Sequence, residues 1–233
     1  MIARAVDAGI ERICVPGWDI ASSDGALELA SRHPGIVDAA VGVHPHHAAE
    51  MDEPGWARLE ALVADARTAA VGEIGLDYFR NLSPPEIQRE AFERQLAMAA
   101  GIGLPALVHA RDAHEDVTST LLAWGGRGVL HAFSGDRAMA RSLTAAGFVV
   151  SFALPVAFGS AAGPRAAAVA LAEGTFLVET DAPYLGPDAN RRNEPTTVLR
   201  VVAELARLRG VDAATLTAPI RGAYEGLVRP SGE

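Results

Sequence analysis

The sequence contains no lysine, since all 20 basic residues among its 233 are arginine. Catalysis through a lysine Schiff base and phosphate binding by a Walker-type loop both need a lysine side chain. These two kinds of site are therefore excluded. A carbamylated lysine that bridges two metal ions is excluded for the same reason.

Cysteine, aromatic residues and positive charge are also scarce. The single cysteine, Cys14, cannot form an internal disulfide, and this favours a cytoplasmic enzyme. Aromatic residues make up only 6 %, but 49 % hydrophobic residues are enough to bury a large aliphatic core. The net charge of −9 argues against a broad basic face that grips duplex nucleic acid.

Long hydrophobic runs are missing as well. The longest run, residues 148–158, is interrupted by Ser151 and Pro155 and is far shorter than the roughly 20 residues of a membrane-spanning helix. The first residues show no signal-peptide core. We therefore expect no membrane partner.

Apolar, β-prone runs alternate along the chain with amphipathic segments. Most of these runs are nearly continuous, which is typical of parallel strands that are buried on both faces. The pattern predicts seven strands, at residues 12–18, 36–44, 70–76, 105–109, 129–133, 148–154 and 175–179.

The segments between these runs carry helix signals. Residues 83–86, Ser-Pro-Pro-Glu, predict a capping box with proline at the first helical position, and Gly101 predicts the end of that helix. Pro195 opens another predicted helix. Residues 52–66 and 136–146 show the same amphipathic pattern.

Alternating strands and helices predict an α/β fold with a parallel sheet. The number of strands favours one (β/α)₈ TIM-barrel domain over residues 1–233 with its first strand missing. A doubly wound open sheet is the alternative, but no Gly-x-Gly-x-x-Gly motif follows the first predicted strand.

Four predicted strands end in residue types that bind metal ions. These residues are Glu73, His109, His131 and Asp181. In a (β/α)₈ barrel the carboxyl ends of the strands open on one face, where these side chains would converge. Two imidazoles and two carboxylates suit Zn²⁺, Mn²⁺ or Mg²⁺. Each residue alone is also consistent with a packed histidine or an ion pair, but the shared position favours a metal or acid–base site.

Two further residues at the same strand ends are candidates for binding an anionic oxygen. His44 ends the second run and Arg111 follows His109 by two residues; a guanidinium binds phosphate through two parallel hydrogen bonds. We expect His46 and His47, which follow His44, to be solvated loop residues.

Six short segments occur in order and at suitable spacing along the whole chain. They are GVHPH at 42–46, GEIGLDY at 72–78, VHAR at 108–111, HAFSG at 131–135, ETDAPYL at 179–185 and RNEP at 192–195. Together they resemble the TatD family of metal-dependent hydrolases, whose members are DNases on amidohydrolase-like barrels. The resemblance implies hydrolysis of phosphodiester bonds, with DNA ends or single strands as substrate.

The resemblance also implies roles for the metal-binding candidates. Glu73 would bridge two divalent ions, and His109 and His131 would complete the protein ligands of one of them. Asp181 would bind the other ion and orient or deprotonate the attacking water.

The remaining two candidates would act on the substrate. By the same resemblance, His44 and Arg111 would contact the scissile phosphate.

The family also carries an N-terminal strand with an Asp-x-His-x-His element, and no such element precedes Met1. We therefore expect one well-formed metal site, impaired activity and self-association through unpaired strand edges, whereas a complete barrel would be a monomer. Two other functions are open: a hydrolase of C–N or ester bonds on the same barrel, and an inactive remnant that binds metal.

Overall fold

The computed structural model describes residues 1–187 and 192–228. The chain divides into two compact units, which are described here in turn. The first unit comprises Arg12–Val129, and the second comprises Met1–Glu11 together with Leu130–Glu233. The assignment of the whole chain to one domain stays a prediction.

The first unit is built on four parallel strands that are neighbours in sequence order. They are β1 (Ile13–Pro16), β2 (Val37–Val41), β3 (Thr68–Asp77) and β4 (Ala106–Arg111). Four helices follow these strands: α2 (Ile20–Arg32), α3 (Glu53–Val63), α4 (Pro85–Ile102) and α5 (His114–Trp124). A 3₁₀ helix, Pro45–Glu50, lies between β2 and α3.

The second unit begins with the short helix α1 (Ile2–Asp7) and contains the parallel pair β6 (Val149–Phe152) and β7 (Phe176–Val178). Phe152 packs edge to face against Phe133 and Phe176 in its core. The strand β5 (Gly128–Leu130) spans the boundary of the two units. The other helices of this unit are α6 (Arg137–Ala145), α7 (Ala162–Ala170), α8 (Val198–Arg209) and α9 (Ala213–Val228).

Three of the helices begin at a residue whose side chain caps them. Asp52 and Asp136 cap α3 and α6, and each side chain accepts a hydrogen bond from a backbone N–H of the first helical turn. Asp19 does the same for α2 and forms a reciprocal capping box with Ser22. All seven predicted strands are present in the described residues, and their parallel pairing confirms the α/β fold class.

Helix α4 begins at a proline as predicted, Pro85, but its predicted cap and its predicted end are wrong. Ser83 does not cap the helix: its Oγ accepts the Ala49 N–H at 3.0 Å and donates to the His46 carbonyl at 3.1 Å. The helix also continues past Gly101 and ends at Ile102, where its C-cap Gly103 adopts the left-handed conformation (φ 70°) that favours glycine. Within the described ranges, no helix combines the length and apolar character needed to cross a bilayer.

Candidate metal centre

Two glycines allow β3 to lie directly against β4 at Glu73. A Cβ atom on Gly72 would come within 2.5 Å of the Leu107 carbonyl oxygen, and one on Gly75 within 2.1 Å of the His109 carbonyl oxygen. Gly75 also has a φ of 137°, which side chains rarely adopt. The glycine spacing therefore brings the backbone that carries Glu73 next to the backbone that carries His109.

Three of the predicted site residues form one cluster in the first unit. His44, Glu73 and His109 each offer a ligand atom, and these atoms all lie within 4.8 Å of one another. Glu73 Oε1 lies 3.0 Å from His109 Nδ1 and 3.5 Å from His44 Nε2. The three side chains are mostly buried. These ligand atoms could hold a metal ion. Imidazole nitrogens together with a carboxylate oxygen suit Zn²⁺, Mn²⁺ or Mg²⁺.

The hydrogen bonds of His109 test whether a cation fits this cluster. Its Nε2 lies 3.2 Å from Asp77 Oδ2, and its Nδ1 faces Glu73. A neutral imidazole carries one proton, and an ionised carboxylate only accepts hydrogen bonds. With the proton on Nε2, the Nδ1 lone pair and the Glu73 carboxylate face each other. A positive charge at Nδ1, either a metal ion or the second proton of a charged imidazole, removes this conflict, so the residues fit a bound metal ion.

His44 has a different hydrogen-bond pattern. Its Nδ1 accepts the backbone N–H of His46 at 3.1 Å, which assigns the proton of the neutral ring to Nε2. Burial lowers the pKa of His44 below its ordinary value, outweighing the hydrogen bond to Glu73 that would raise it. In this neutral form His44 is a hydrogen-bond donor through Nε2.

Asp77 joins two of the histidines from the end of β3. Its Oδ2 lies 2.8 Å from His46 Nε2 and 3.2 Å from His109 Nε2, and its Oδ1 accepts the Arg80 N–H at 2.7 Å. Burial would raise the pKa of Asp77, but the hydrogen bonds from His109, Arg80 and His46 outweigh it and hold the pKa well below its ordinary value. Asp77 is therefore an ionised, buried acceptor.

The expectation that His46 and His47 are both solvated loop residues is wrong for His46. The 3₁₀ helix after β2 directs the His46 ring to Asp77, whereas His47 is more exposed and pairs with Glu50 at 3.1 Å. Consecutive residues of a 3₁₀ helix lie about 120° apart around its axis, so the His46 and His47 rings point in different directions.

Arg111 lies at the exposed end of β4, paired in register with Asp77. Alternation along a strand places its side chain on the same face as that of His109. Its guanidinium lies over the ring of Phe79, 4.9 Å from the ring centroid. The guanidinium is thus held at the edge of the cluster and is accessible to an anionic ligand.

His131 lies in the second unit, beside β6 and β7. Its Nδ1 is 3.2 Å from Glu179 Oε1, which also accepts the Ala132 N–H at 3.1 Å. Ser151 Oγ donates to the other Glu179 oxygen. An acceptor at Nδ1 places the proton of the neutral ring on that nitrogen. In this tautomer Nε2 is the atom that can bind a metal ion. Sequence reasoning missed this supporting role of Glu179.

Asp181 follows β7 and has a left-handed backbone conformation (φ 54°), which aspartate tolerates better than most residues. The buried side chain of Asn193 closes the loop around it, since Asn193 Nδ2 donates to the carbonyls of Thr180, Tyr184 (2.7 Å) and Leu185 (3.2 Å). Asn193 of the RNEP segment therefore fixes residues 180–185, which include Asp181.

A comparison with models of protein families identifies the family of this chain. A family model described as TatD-related DNase matches residues 1–227, which is nearly the whole chain. The chain belongs to the TatD family. This confirms the resemblance seen in the six sequence segments.

Individual TatD-family proteins agree with this assignment. The chain is 37 % identical over 228 residues to the 3'-5' ssDNA/RNA exonuclease TatD of Erwinia tasmaniensis, covering 94 % of this chain and 88 % of that protein. It is also 37 % identical over 214 residues to the uncharacterized metal-dependent hydrolase YabD of Bacillus subtilis. This match covers 90 % of this chain and 84 % of YabD.

A solved TatD homologue confirms the barrel-type fold class. The crystal structure of the TatD homologue YJJV from Escherichia coli superimposes with a TM-score of 0.91 at 27 % identity, covering 97 % of this chain and 90 % of that one. The chain is therefore a metal-dependent hydrolase of the TatD type.

Proposed function

We propose that this TatD-family chain is a metal-dependent nuclease that hydrolyses phosphodiester bonds of DNA, or of RNA, at ends and in single strands. The observation that carries the proposal is the position of His109 between Glu73 and Asp77, which suits a cation next to Nδ1. The names of the exonuclease relatives supply the substrate class. Hydrolysis of C–N or ester bonds has no comparable support in these relatives.

The metal ligands follow from the cluster and the family motifs. Glu73 and His109 are the ligands supported by the geometry, and His131 and Asp181 are assigned by the motifs alone. A bound divalent cation, Mg²⁺, Mn²⁺ or Zn²⁺, supplies positive charge for phosphoryl oxygens and makes water more acidic. We expect about one ion per chain by elemental analysis, lost in His131→Ala; two tightly bound ions would contradict this number.

The protein side chains take the other roles. Asp181 accepts a proton from the attacking water and aligns it with the phosphorus atom. His44 donates a hydrogen bond from Nε2 to a phosphoryl oxygen, which suits its neutral tautomer. Arg111 neutralises charge on the same group by two parallel hydrogen bonds.

Two exposed aromatic rings favour a single-stranded substrate. Trp18 follows β1 and Phe79 follows β3, and these residues are 50 % and 61 % exposed. Unpaired nucleobases stack on aromatic rings, whereas the bases of a duplex are stacked on one another. The net charge of −9 also disfavours a long duplex.

A labelled oligonucleotide assay tests the proposed function. The chain is expected to shorten single-stranded DNA in the presence of Mn²⁺, Mg²⁺ or Zn²⁺ and to lose this activity with a chelator. Glu73→Gln and Asp181→Asn should each lower the rate far more than tenfold, while the exposed Glu90→Gln serves as control. A rate within tenfold of the parent, under about 1.4 kcal/mol of barrier, would remove the proposed role.

The same assay separates the alternatives. Hydrolysis of amide or lactone substrates without cleavage of nucleic acid would favour a C–N or ester hydrolase. Metal binding without any hydrolysis would favour an inactive metal-binding remnant. A cytoplasmic location, consistent with the single cysteine, is part of the proposal and is checked by cell fractionation.

A further inference from the structure

Asp77 is the buried carboxylate at the centre of the histidine contacts. It is 3 % exposed, and four polar groups hold it from different parts of the first unit. Two are the imidazoles of His46 and His109 on Oδ2, and one is the Arg80 N–H on Oδ1. The fourth is Gln88, whose Oε1 accepts the Asp77 backbone N–H at 2.8 Å. The carboxylate can thus move little within its site.

This environment determines which nitrogen of His109 can bind a metal. An ionised carboxylate only accepts, so its contact at Nε2 requires the proton of His109 on that nitrogen. The Nδ1 lone pair then faces Glu73 at 3.0 Å. Without a carboxylate at Nε2 the two tautomers of His109 would compete, and one of them cannot offer Nδ1 as a ligand.

We propose that Asp77 is a positioning residue that fixes the Nε2-protonated tautomer of His109 for metal binding, and that His46 holds Asp77 in place. The inference rests on the proposed metal-dependent function, because it gives a role to a residue beside the proposed metal site. Neither residue is a metal ligand in this proposal. Both act through His109.

His46 carries part of the effect because it shares one oxygen with His109. His46 Nε2 lies 2.8 Å from Asp77 Oδ2, whereas His109 Nε2 lies 3.2 Å from the same oxygen. The His46 ring also lies edge-on to His44, with centroids 4.2 Å apart, which limits its rotation. Removal of His46 should therefore loosen Asp77 without removing a metal ligand.

An amide at position 77 tests the carboxylate. Asparagine has one acceptor oxygen, so either Arg80 or the two histidines would face an NH₂ group. Asp77→Asn should weaken Zn²⁺ binding by about 10–100-fold, the range typical of a lost carboxylate partner of a ligating histidine. The affinity is measured by competition with a chromophoric chelator. Asp116→Asn, which changes a half-exposed carboxylate bound to Tyr78 and Arg89, is the matched control and should leave Zn²⁺ binding unchanged.

A second pair of variants keeps the test valid if Asp77→Asn fails to fold. His46→Ala, which removes the donor to Asp77, should weaken Zn²⁺ binding severalfold, and His47→Ala, on the same 3₁₀ helix but paired with Glu50, should leave it unchanged. Equal effects of the two substitutions would overturn the role of His46. Zn²⁺ affinity within twofold of the parent in a folded Asp77→Asn chain would overturn the role of Asp77.

Nitrogen-15 spectra of the Zn²⁺-loaded chain give a readout that a merely structural role would not move. The parent should show His109 protonated at Nε2 with zinc on Nδ1, and the reverse assignment would overturn the inference. All these readouts are independent of nuclease activity. If His109 binds Zn²⁺ and Asp77 positions it, but nucleic acid is not cleaved, the proposed function fails and this inference stands.

Discussion

The side-chain amide of Gln95 bonds to both backbone polar groups of Val43: Oε1 accepts the N–H at 2.7 Å, and Nε2 donates to the carbonyl at 3.1 Å. Gln88 does the same for Asp77, at 2.8 and 3.2 Å. The two glutamines lie two turns apart on one face of α4, and both are fully buried. Helix α4 therefore fixes the backbone next to His44 and at the end of β3.

We predict that Gln95→Leu destabilises the chain although leucine is apolar and of similar size. The substitution leaves both polar groups of Val43 without the Gln95 amide in a buried position. Each such group costs about 1–3 kcal/mol, so the free energy of unfolding in urea should fall by at least about 1 kcal/mol. Glu93→Leu, exposed on the same helix, is the control and should stay within about 0.5 kcal/mol. Equal values for the two variants would contradict the role of Gln95.

Alanine at Gly75 should be far more destabilising than alanine at Gly101. At Gly75 the Cβ atom would meet the His109 carbonyl oxygen at 2.1 Å and the φ of 137° is strained for alanine, so we expect a loss of at least about 2 kcal/mol. At Gly101, inside α4, nothing lies within 4 Å of the new atom. There alanine should stabilise the helix by about 0.5–1 kcal/mol. Thermal unfolding of the two variants checks both signs.

Lysine in place of Arg111 should impair substrate binding although the charge is kept. Lysine lacks the planar pair of N–H groups that a guanidinium offers to phosphate and also loses the contact with Phe79. We expect KM for an oligonucleotide to rise severalfold in Arg111→Lys and about tenfold or more in Arg111→Ala. Arg58→Ala, which removes an exposed ion pair with Asp24, is the control. A KM unchanged in Arg111→Ala would exclude a phosphate contact.

Glu204 should stabilise the chain at neutral pH and lose this contribution in acid. Hydrogen bonds from Arg207 lower the pKa of Glu204 to about 2 in the folded chain. Burial opposes this shift, and a hydrogen bond from Arg165 adds to it. The unfolded chain therefore binds this proton more readily, so the stabilisation is complete above a pH of about 4.5 and is lost as the pH falls towards 2.

Denaturant titrations at several pH values test this dependence. The difference in unfolding free energy between the parent and Glu204→Gln should be constant above about pH 5 and should shrink below it. Glu173→Gln, at an exposed position of the same unit, should show no such change. A difference between the parent and Glu204→Gln that grows in acid would contradict the assignment.

The sequence by itself determined the strands and the family, and it predicted the principal site residues. Nearly continuous apolar runs mark buried parallel strands, and residues such as Glu73 and His109 are recognisable because metal binding restricts the ligand types. These are local signals, which survive without knowledge of the contacts.

Only the tertiary structure decided how those predicted residues are supported. Asp77, His46, Gln88 and Gln95 are ordinary polar residues in sequence, and their partners lie up to 52 positions away. The end of α4 was set by the same kind of information, because Gly101 and Gly103 are indistinguishable until the backbone shows which of them has a positive φ. Hydrogen-bond direction and backbone conformation depend on the neighbours that folding brings together, and residue order along the chain does not reveal them.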